Sequence, residues 1–327
     1  MGYIRRPSYY KDFRCIASDC TENCCIGWEI DVDEDTLAYY KSIGSDFSRR
    51  LCAAIAPADE QAGENAHFIL DESERCPFLN DKNLCEVYLN LGEEHMAQIC
   101  TDHPRYYEWF AGGREDGVGL CCEAAAELIL RRRDRPEWDV TGEADEEPDE
   151  FEQALFAMRD RLFAIIKPET PVSFDEKLDR LHLACCEMQN EYDDLLFPVE
   201  GDAEYADEED EPFRWSAMFW SEACLKALTE RLMSLEINKD EWRGLLADVH
   251  ARIPELLARR ADFLAAYADR LYEYDELLEY FVYRHFMKAL SDDVLIEKVQ
   301  FALICTCFIQ LLGIYRWLTD GRLTHWE

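Results

Sequence analysis

Ten of the fifteen cysteines lie before residue 123, and four of them fall within eleven positions of the stretch CIASDCTENCCIGWEI, residues 15–30. A first third so rich in thiols has three ways to fold: around disulfides, around a core that buries them, or around a metal. The opening GYIRRPSYYKDF carries arginines and tyrosines where an export signal needs a run of roughly 7–15 apolar residues. The odd total of fifteen cysteines and the absence of an export signal disfavour a disulfide framework, and the chain reads as cytoplasmic with reduced thiols. The longest apolar stretch, FALICTCFIQLLGIY at 301–315, is interrupted by Gln310 and is shorter than the ~20 residues that span a bilayer. It reads as a buried helix, and no membrane partner is expected.

Spacing separates the remaining options. Cys15, Cys20 and Cys24 are followed by the adjacent Cys25; downstream come Cys76 and Cys85 in CPFLNDKNLC, Cys100 in CTDHPR, and Cys122. Thiolates suit zinc and iron–sulfur clusters, and four satisfy either. The chain has no C-x2-C pair of the kind zinc modules use, which favours a cluster gathered from distant loops, with zinc as the alternative. Adjacent cysteines point in different directions as a rule, so one of Cys24 and Cys25 is expected to pack rather than ligate. Cys52, Cys185, Cys186, Cys224, Cys305 and Cys307 read as buried free cysteines. Pro77 and the turn-forming NDKN at 80–83 suit a tight loop between two thiols, and Pro104 sets a bend after Cys100. Arg105 is placed to offset thiolate charge, and His103 reads as a surface or hydrogen-bonding residue rather than a ligand.

The fold class expected is mainly α: a loop-rich cysteine module with a few short strands or hairpins, followed by a helical C-terminal region. The division is 1–135 for the module, 136–150 for an acidic linker containing GEADEEPDE, and 151–327 for the helical region, with an acidic loop at 200–212. Helical periodicity marks 151–166, 174–196, 215–236 and 241–260, with Pro254 expected to kink or end the last near Ile253. Phe263, Tyr267, Leu271, Tyr274 and Leu278 fall on one helical stripe. Trp28, Ile30 and Val32 alternate with acids as in a strand, and HFIL at 67–70 reads as another. GGREDGVG at 112–119 lacks the G-x-G-x-x-G setting of a dinucleotide fingerprint and reads as a hairpin turn.

The balance of 34 basic against 70 acidic residues leaves a net charge of −36, which repels nucleic acid and anionic membranes and is compatible with a lysine-bearing protein partner.

The segments PSYYKDFRC, the CxxxCC run leading into IGWEIDVDEDT, ERCPFLNDKNLCEVYLNLGEEHM, CTDHPR and CCEAAAELIL, in that order, resemble the flagellin lysine-N-methylases, a bacterial family that methylates flagellin. More distantly, the module is similar to a cysteine-rich family of zinc- or iron-chelating proteins. YRHFMKALSDDVLIEKVQFALI at 283–304 also resembles the family's C-terminal helical region. The resemblance implies a protein lysine N-methyltransferase that uses S-adenosylmethionine and carries a [4Fe–4S] cluster. It makes Cys15, Cys20, Cys24, Cys25, Cys76, Cys85, Cys100 and Cys122 the candidate ligands, four of them expected to bind. Cys121 stands where the family has a serine. No donor-binding motif is visible, and CTENCC is not the C-x3-C-x2-C of radical S-adenosylmethionine enzymes. The alternative is an iron- or zinc-binding redox, chelating or interaction protein without methyl transfer.

Methyl transfer to an amine needs the neutral base, yet with a pKa near 10.4 only about one free lysine in 2,500 is neutral at pH 7. A site must desolvate the ammonium or set a base beside it. Asp102, Tyr106 and Glu93, with Glu94 beside it, are the candidate catalytic groups nearest the cysteines.

Overall fold

The computed structural model describes residues 2–323 apart from 22, 60, 62, 134–136, 145, 198–212 and 238. The expected acidic loop at 200–212 lies outside the described residues. Strands β1 (Tyr3–Pro7), β4 (Arg105–Phe110), β5 (Gly113–Val118) and β6 (Trp138–Thr141) form a sheet of order β4-β5-β1-β6; β2 (Ile55–Ala56) and β3 (His67–Phe68) form a second, two-stranded one. β1 runs parallel to β5 and antiparallel to β6, and β4 and β5 form an antiparallel hairpin.

In the cysteine-rich third the helices are short: α1 (Glu34–Ile43), α2 (Asp46–Ala53), α3 (Glu86–Leu91), α4 (Gln98–Asp102) and α5 (Glu123–Leu130). Capping explains the first two. The Asp33 carboxylate accepts from the Thr36 N–H at 2.9 Å, Gly44 ends α1 at φ 68°, and the Ser45 hydroxyl caps α2. Ile30, Val32, Tyr40, Leu51, Phe68 and Phe78 fill a small core there.

The helical region comprises α6 (Glu150–Ile166), α7 (Phe174–Leu196), α8 (Trp215–Phe219), α9 (Glu222–Met233), α10 (Asp240–Ala266), α11 (Tyr272–His285), α12 (Ala289–Asp292) and α13 (Leu295–Asp320). An Asp149–Glu152 capping box starts α6, and Ser173 caps α7. The core of this region draws on every one of these helices and is the largest in the molecule. α13 is long and apolar enough to cross a membrane, but half of its most apolar window is buried, as the reading of 301–315 as a buried helix expects.

A third cluster joins the two regions: Tyr9, Phe13, Val118, Ala125 and Ile129 pack with Tyr280 of α11. The Tyr283 hydroxyl donates to the Asp116 carbonyl at 3.1 Å, and the Tyr280 hydroxyl accepts from the Leu120 N–H at 3.2 Å.

The structure corrects several local expectations. The stripe from Phe263 to Leu278 is divided between α10 and α11 by a turn in which the Arg270 N–H donates to the Tyr267 carbonyl; the Tyr267 hydroxyl there accepts from the Leu323 N–H. The redirected chain brings Phe263 and Tyr274 together against Gly313, where an added Cβ would lie 3.3 and 3.4 Å from them. α10 runs through Pro254 without ending, since the burial of Leu246, Val249, Ile253 and Leu256 offsets a proline cost of ~3 kcal/mol. The 215–236 segment breaks at Ser221, whose hydroxyl caps α9. Only the start of GGREDGVG is a turn, at Ala111 and Gly112 (φ 76°); Gly113–Val118 is strand β5. The 28–33 alternation forms no ladder; Ile30 and Val32 are buried, with a single bridge between Asp31 and His67. In the 136–150 segment, residues 138–141 pair with β1 as β6, while 142–144 are exposed.

Candidate functional site

Two separate loops and a helix deliver thiols to one place. The Cys25 carbonyl accepts from the Cys76 N–H at 2.8 Å, laying the first cysteine loop across the second. Within the second loop the Asn80 side chain accepts from the N–H groups of Lys82 and Leu84 at 2.9 and 3.1 Å, and Asn83 turns the chain at φ 54°. This returns the chain so that Cys85 bridges Leu79 at the start of α3. Cys100 enters from α4, and Cys25, Cys85 and Cys100 flank the small core that contains Cys76. All fifteen cysteines are free, in line with an odd thiol count that disfavours a disulfide framework.

The thiols shift one another's ionisation, which places them within electrostatic reach. Burial pushes Cys100 up to about 12, and Cys85, Cys76 and Cys24 add to the rise. Burial also raises Cys76 and Cys85; Cys85 adds to the rise of Cys76, and Cys24 to that of Cys85. Cys24 moves the other way, to about 7, because the Cys25 thiol hydrogen-bonds to it; the same bond raises Cys25 strongly. The two neighbours still differ in setting: Cys24 is exposed, whereas Cys25 packs against the small core, as expected of one of the pair. Burial raises Cys122, which senses Cys15 and Cys24 and lies at the margin of the set. Cys20 faces the Glu123 carboxylate at 3.5 Å, an oxygen that also accepts from the Thr21 N–H and hydroxyl at 2.8 and 2.9 Å.

Backbone N–H groups reach several sulfurs: those of Phe78 and Leu79 reach Cys76, those of Val87 and Tyr88 reach Cys85, and those of Ala124 and Ala125 reach Cys122. The Ala17 N–H lies 3.4 Å from the Cys15 sulfur. Such donors favour thiolate, so the donor set fits a thiophilic group in its chemistry. Among the described residues, no group of three or more His, Cys, Asp or Glu side chains is already arranged to hold a metal ion.

The candidate catalytic groups are dispersed. Asp102 accepts from the Tyr107 hydroxyl at 3.0 Å. Burial, with that carboxylate second, pushes Tyr107 up to about 12. Tyr106, the residue before it in β4, is half-buried between Tyr280 and Tyr283 with the Arg284 guanidinium 4.6 Å from its ring centre, and its buried hydroxyl has no hydrogen-bond partner among the described residues. Glu93 and Glu94 are exposed in a 3-10 turn. Arg105 turns away from a charge-offsetting role at the thiols and donates to the Thr101 carbonyl at 2.7 Å. His103 is better sheltered than its sequence setting suggests. Its Nε2 is buried without a partner among the described residues, its ring centre lies 5.6 Å from that of Trp28, and burial lowers its pKa. The Trp28 indole donates to the Cys24 carbonyl, linking the imidazole to the thiol loop.

Comparison with known proteins bears first on the C-terminal region. Residues 175–326 match the FliB lysine N-methylase C-terminal domain family. Over 135 residues, 40% of the chain, it is 24% identical to the flagellar biosynthetic protein FliU of Salmonella muenchen, covering 79% of that protein. At the same identity and length it matches the lysine-N-methylases of Salmonella choleraesuis (strain SC-B67) and Salmonella typhimurium (strain LT2), covering 33% of each. The match thus spans about a third of those two enzymes. No solved structure matches. The C-terminal region is thus similar to a lysine N-methylase domain, in keeping with the lysine-N-methylase resemblance of the sequence.

Proposed function

We propose that this relative of the lysine N-methylases takes part in methyl transfer from S-adenosylmethionine to lysine side chains of flagellin and holds a [4Fe–4S] cluster on its thiols. The observation that carries the reading is the convergence of Cys24, Cys25, Cys76, Cys85 and Cys100 from distant parts of the sequence in a chain whose C-terminal region matches a lysine N-methylase domain. Three of the four ligands would be Cys76, Cys85 and Cys100, and the Cys24–Cys25 pair would supply the fourth. The cluster, when bound, ties these loops into one scaffold. S-adenosylmethionine, when bound, supplies an electrophilic methyl group.

The chain itself must present a neutral amine and accept its proton. His103 suits this role, because burial keeps its imidazole neutral near pH 7 and its buried Nε2 has no other partner among the described residues. Asp102 is occupied by Tyr107. A neutral imidazole also avoids the charge of a carboxylate, which would raise the lysine's pKa rather than lower it.

Protein purified without oxygen is expected to contain iron and acid-labile sulfide. With S-adenosylmethionine and flagellin it is expected to add about 14 Da per methyl to lysine-bearing peptides. Iron without any mass gain on competent flagellin would leave an iron-binding protein and overturn the methylase reading. Methylation by metal-free protein would remove the cluster instead.

A further inference from the structure

β6 and the turn at Ser8–Asp12 wall an open groove of about 630 Å³, into which Arg6, Tyr10, Lys11, Phe13, Arg14 and Arg105 project. In a chain of net charge −36, this groove reverses the sign: four cations line it against a single carboxylate, Asp139. Its volume lies in the range of roughly 300–1,000 Å³ typical of small-molecule sites.

The cations are held in place; Arg6 and Lys11 each meet a carboxylate, and Arg14 and Arg105 keep their charge unpaired among the described residues. Arg105 lies 5.2 Å from the Phe13 ring centre and donates to the Thr101 carbonyl; Arg14 donates to the carbonyls of Lys11 and Phe13 at 2.9 and 2.6 Å. Neither guanidinium has a carboxylate partner among the described residues. Arg6 lies 4.9 Å from the Tyr10 ring centre and bonds Asp116 at 2.6 Å, and Lys11 meets Asp139 at 3.4 Å in an exposed contact. Exposed pairs of that kind contribute little. Guanidinium groups fixed on aromatic faces and backbone carbonyls lose little freedom when they grip an oxyanion, and their forked donors match phosphate oxygens.

We propose that this groove binds a small phosphate-bearing ligand of nucleotide size. Size follows from the charge of the whole molecule. A nucleic acid or anionic membrane extends past the groove into the field of the excess carboxylates, whereas a small anion meets mainly the local cations, since charges more than about 8 Å away are largely screened at physiological salt. Phosphate rather than a methyl donor follows from sign, because the sulfonium and ammonium of S-adenosylmethionine would face four cations. The inference therefore stands apart from the methyltransferase reading.

Titration calorimetry on the full chain with ATP, inorganic triphosphate, adenosine and citrate tests it. ATP and inorganic triphosphate are expected to bind saturably and more weakly as salt rises, and adenosine is expected not to bind. The exposed double variant Lys11→Gln/Arg14→Gln is expected to lose roughly tenfold or more in affinity, while Lys11→Arg/Arg14→Lys, which keeps the charge, retains most of it. ATP tighter than triphosphate would identify a nucleotide; equal affinity would identify the phosphate chain alone. No binding of either up to millimolar concentration, citrate binding as tightly as triphosphate, or an unchanged affinity in the Gln variant would overturn the proposal.

Discussion

Arg159 and Glu115 form a bidentate pair at 2.6 Å for each bond, with both side chains buried between β5 and α6. Arg5 adds a third contact at 3.3 Å, and beside it Asp116 takes Arg6 and Arg114. The sheet is thus attached to the helices through ions, where an apolar strand would be the usual solution. Removing one partner leaves the other charged and dehydrated, so Arg159→Leu is expected to cost about 3–5 kcal/mol in urea unfolding, with Glu115→Gln in the same background recovering part of the loss. This layer is also why β5 is hidden in the sequence: REDGV has none of the β-branched alternation that marks a strand, because its buried Glu115 and Asp116 are acids paired with Arg159, 44 positions away, and Arg6, 110 positions away. The thiols are legible as residue types at spacings; the sheltering of His103 is not, since it depends on Trp28.

Helices with strong periodicity and local caps are legible almost to the residue, as α6 and α7 show, because the capping residues are neighbours in sequence. The break between α10 and α11 escapes a sequence reading, because apolar residues keep their helical spacing across it. α11 also depends on residues distant in sequence. Glu276 is 1% exposed; it lies 2.6 Å from Lys167, and Glu279 contacts both Lys167 and Arg132. Burial raises Glu276 from 4.5 to about 7, with Glu279 adding to the rise and Lys167 opposing it. A carboxyl whose pKa is raised on folding contributes its stability below the unfolded value and loses it as pH rises through the folded one. The group therefore removes on the order of 2–3 kcal/mol as pH climbs from about 4.5 past 7. Glu276→Gln lacks this dependence. In urea unfolding at pH 5 and pH 8, the variant is expected to gain on the parent at the higher pH, and an equal difference at both would refute the assignment.

Across the whole molecule, the helical core and the small core under the thiols share no residues; the cluster around Tyr9, Val118 and Tyr280 joins the regions. The thiol region relies on short helices and turns, so the proposed cluster would be a large part of what holds it. Stripping iron from anaerobically purified protein with a chelator is expected to raise hydrogen exchange across residues 15–122 while α6, α7 and α13 stay protected. Uniform loss of protection would mean that the two regions fold as one unit.

Local chemistry was decided by the sequence itself: thiols at spacings suited to a soft metal, helices with their own caps, and an acidic excess that shapes which partners can approach. These depend on residues a few positions apart or on totals along the chain. Tertiary structure alone decided which thiols meet, that the buried Glu115 of a strand is paired with a buried arginine, and that four cations gather in one groove of an anionic protein. Each of these turns on the distance between residues far apart in sequence, and only the folded chain sets that distance.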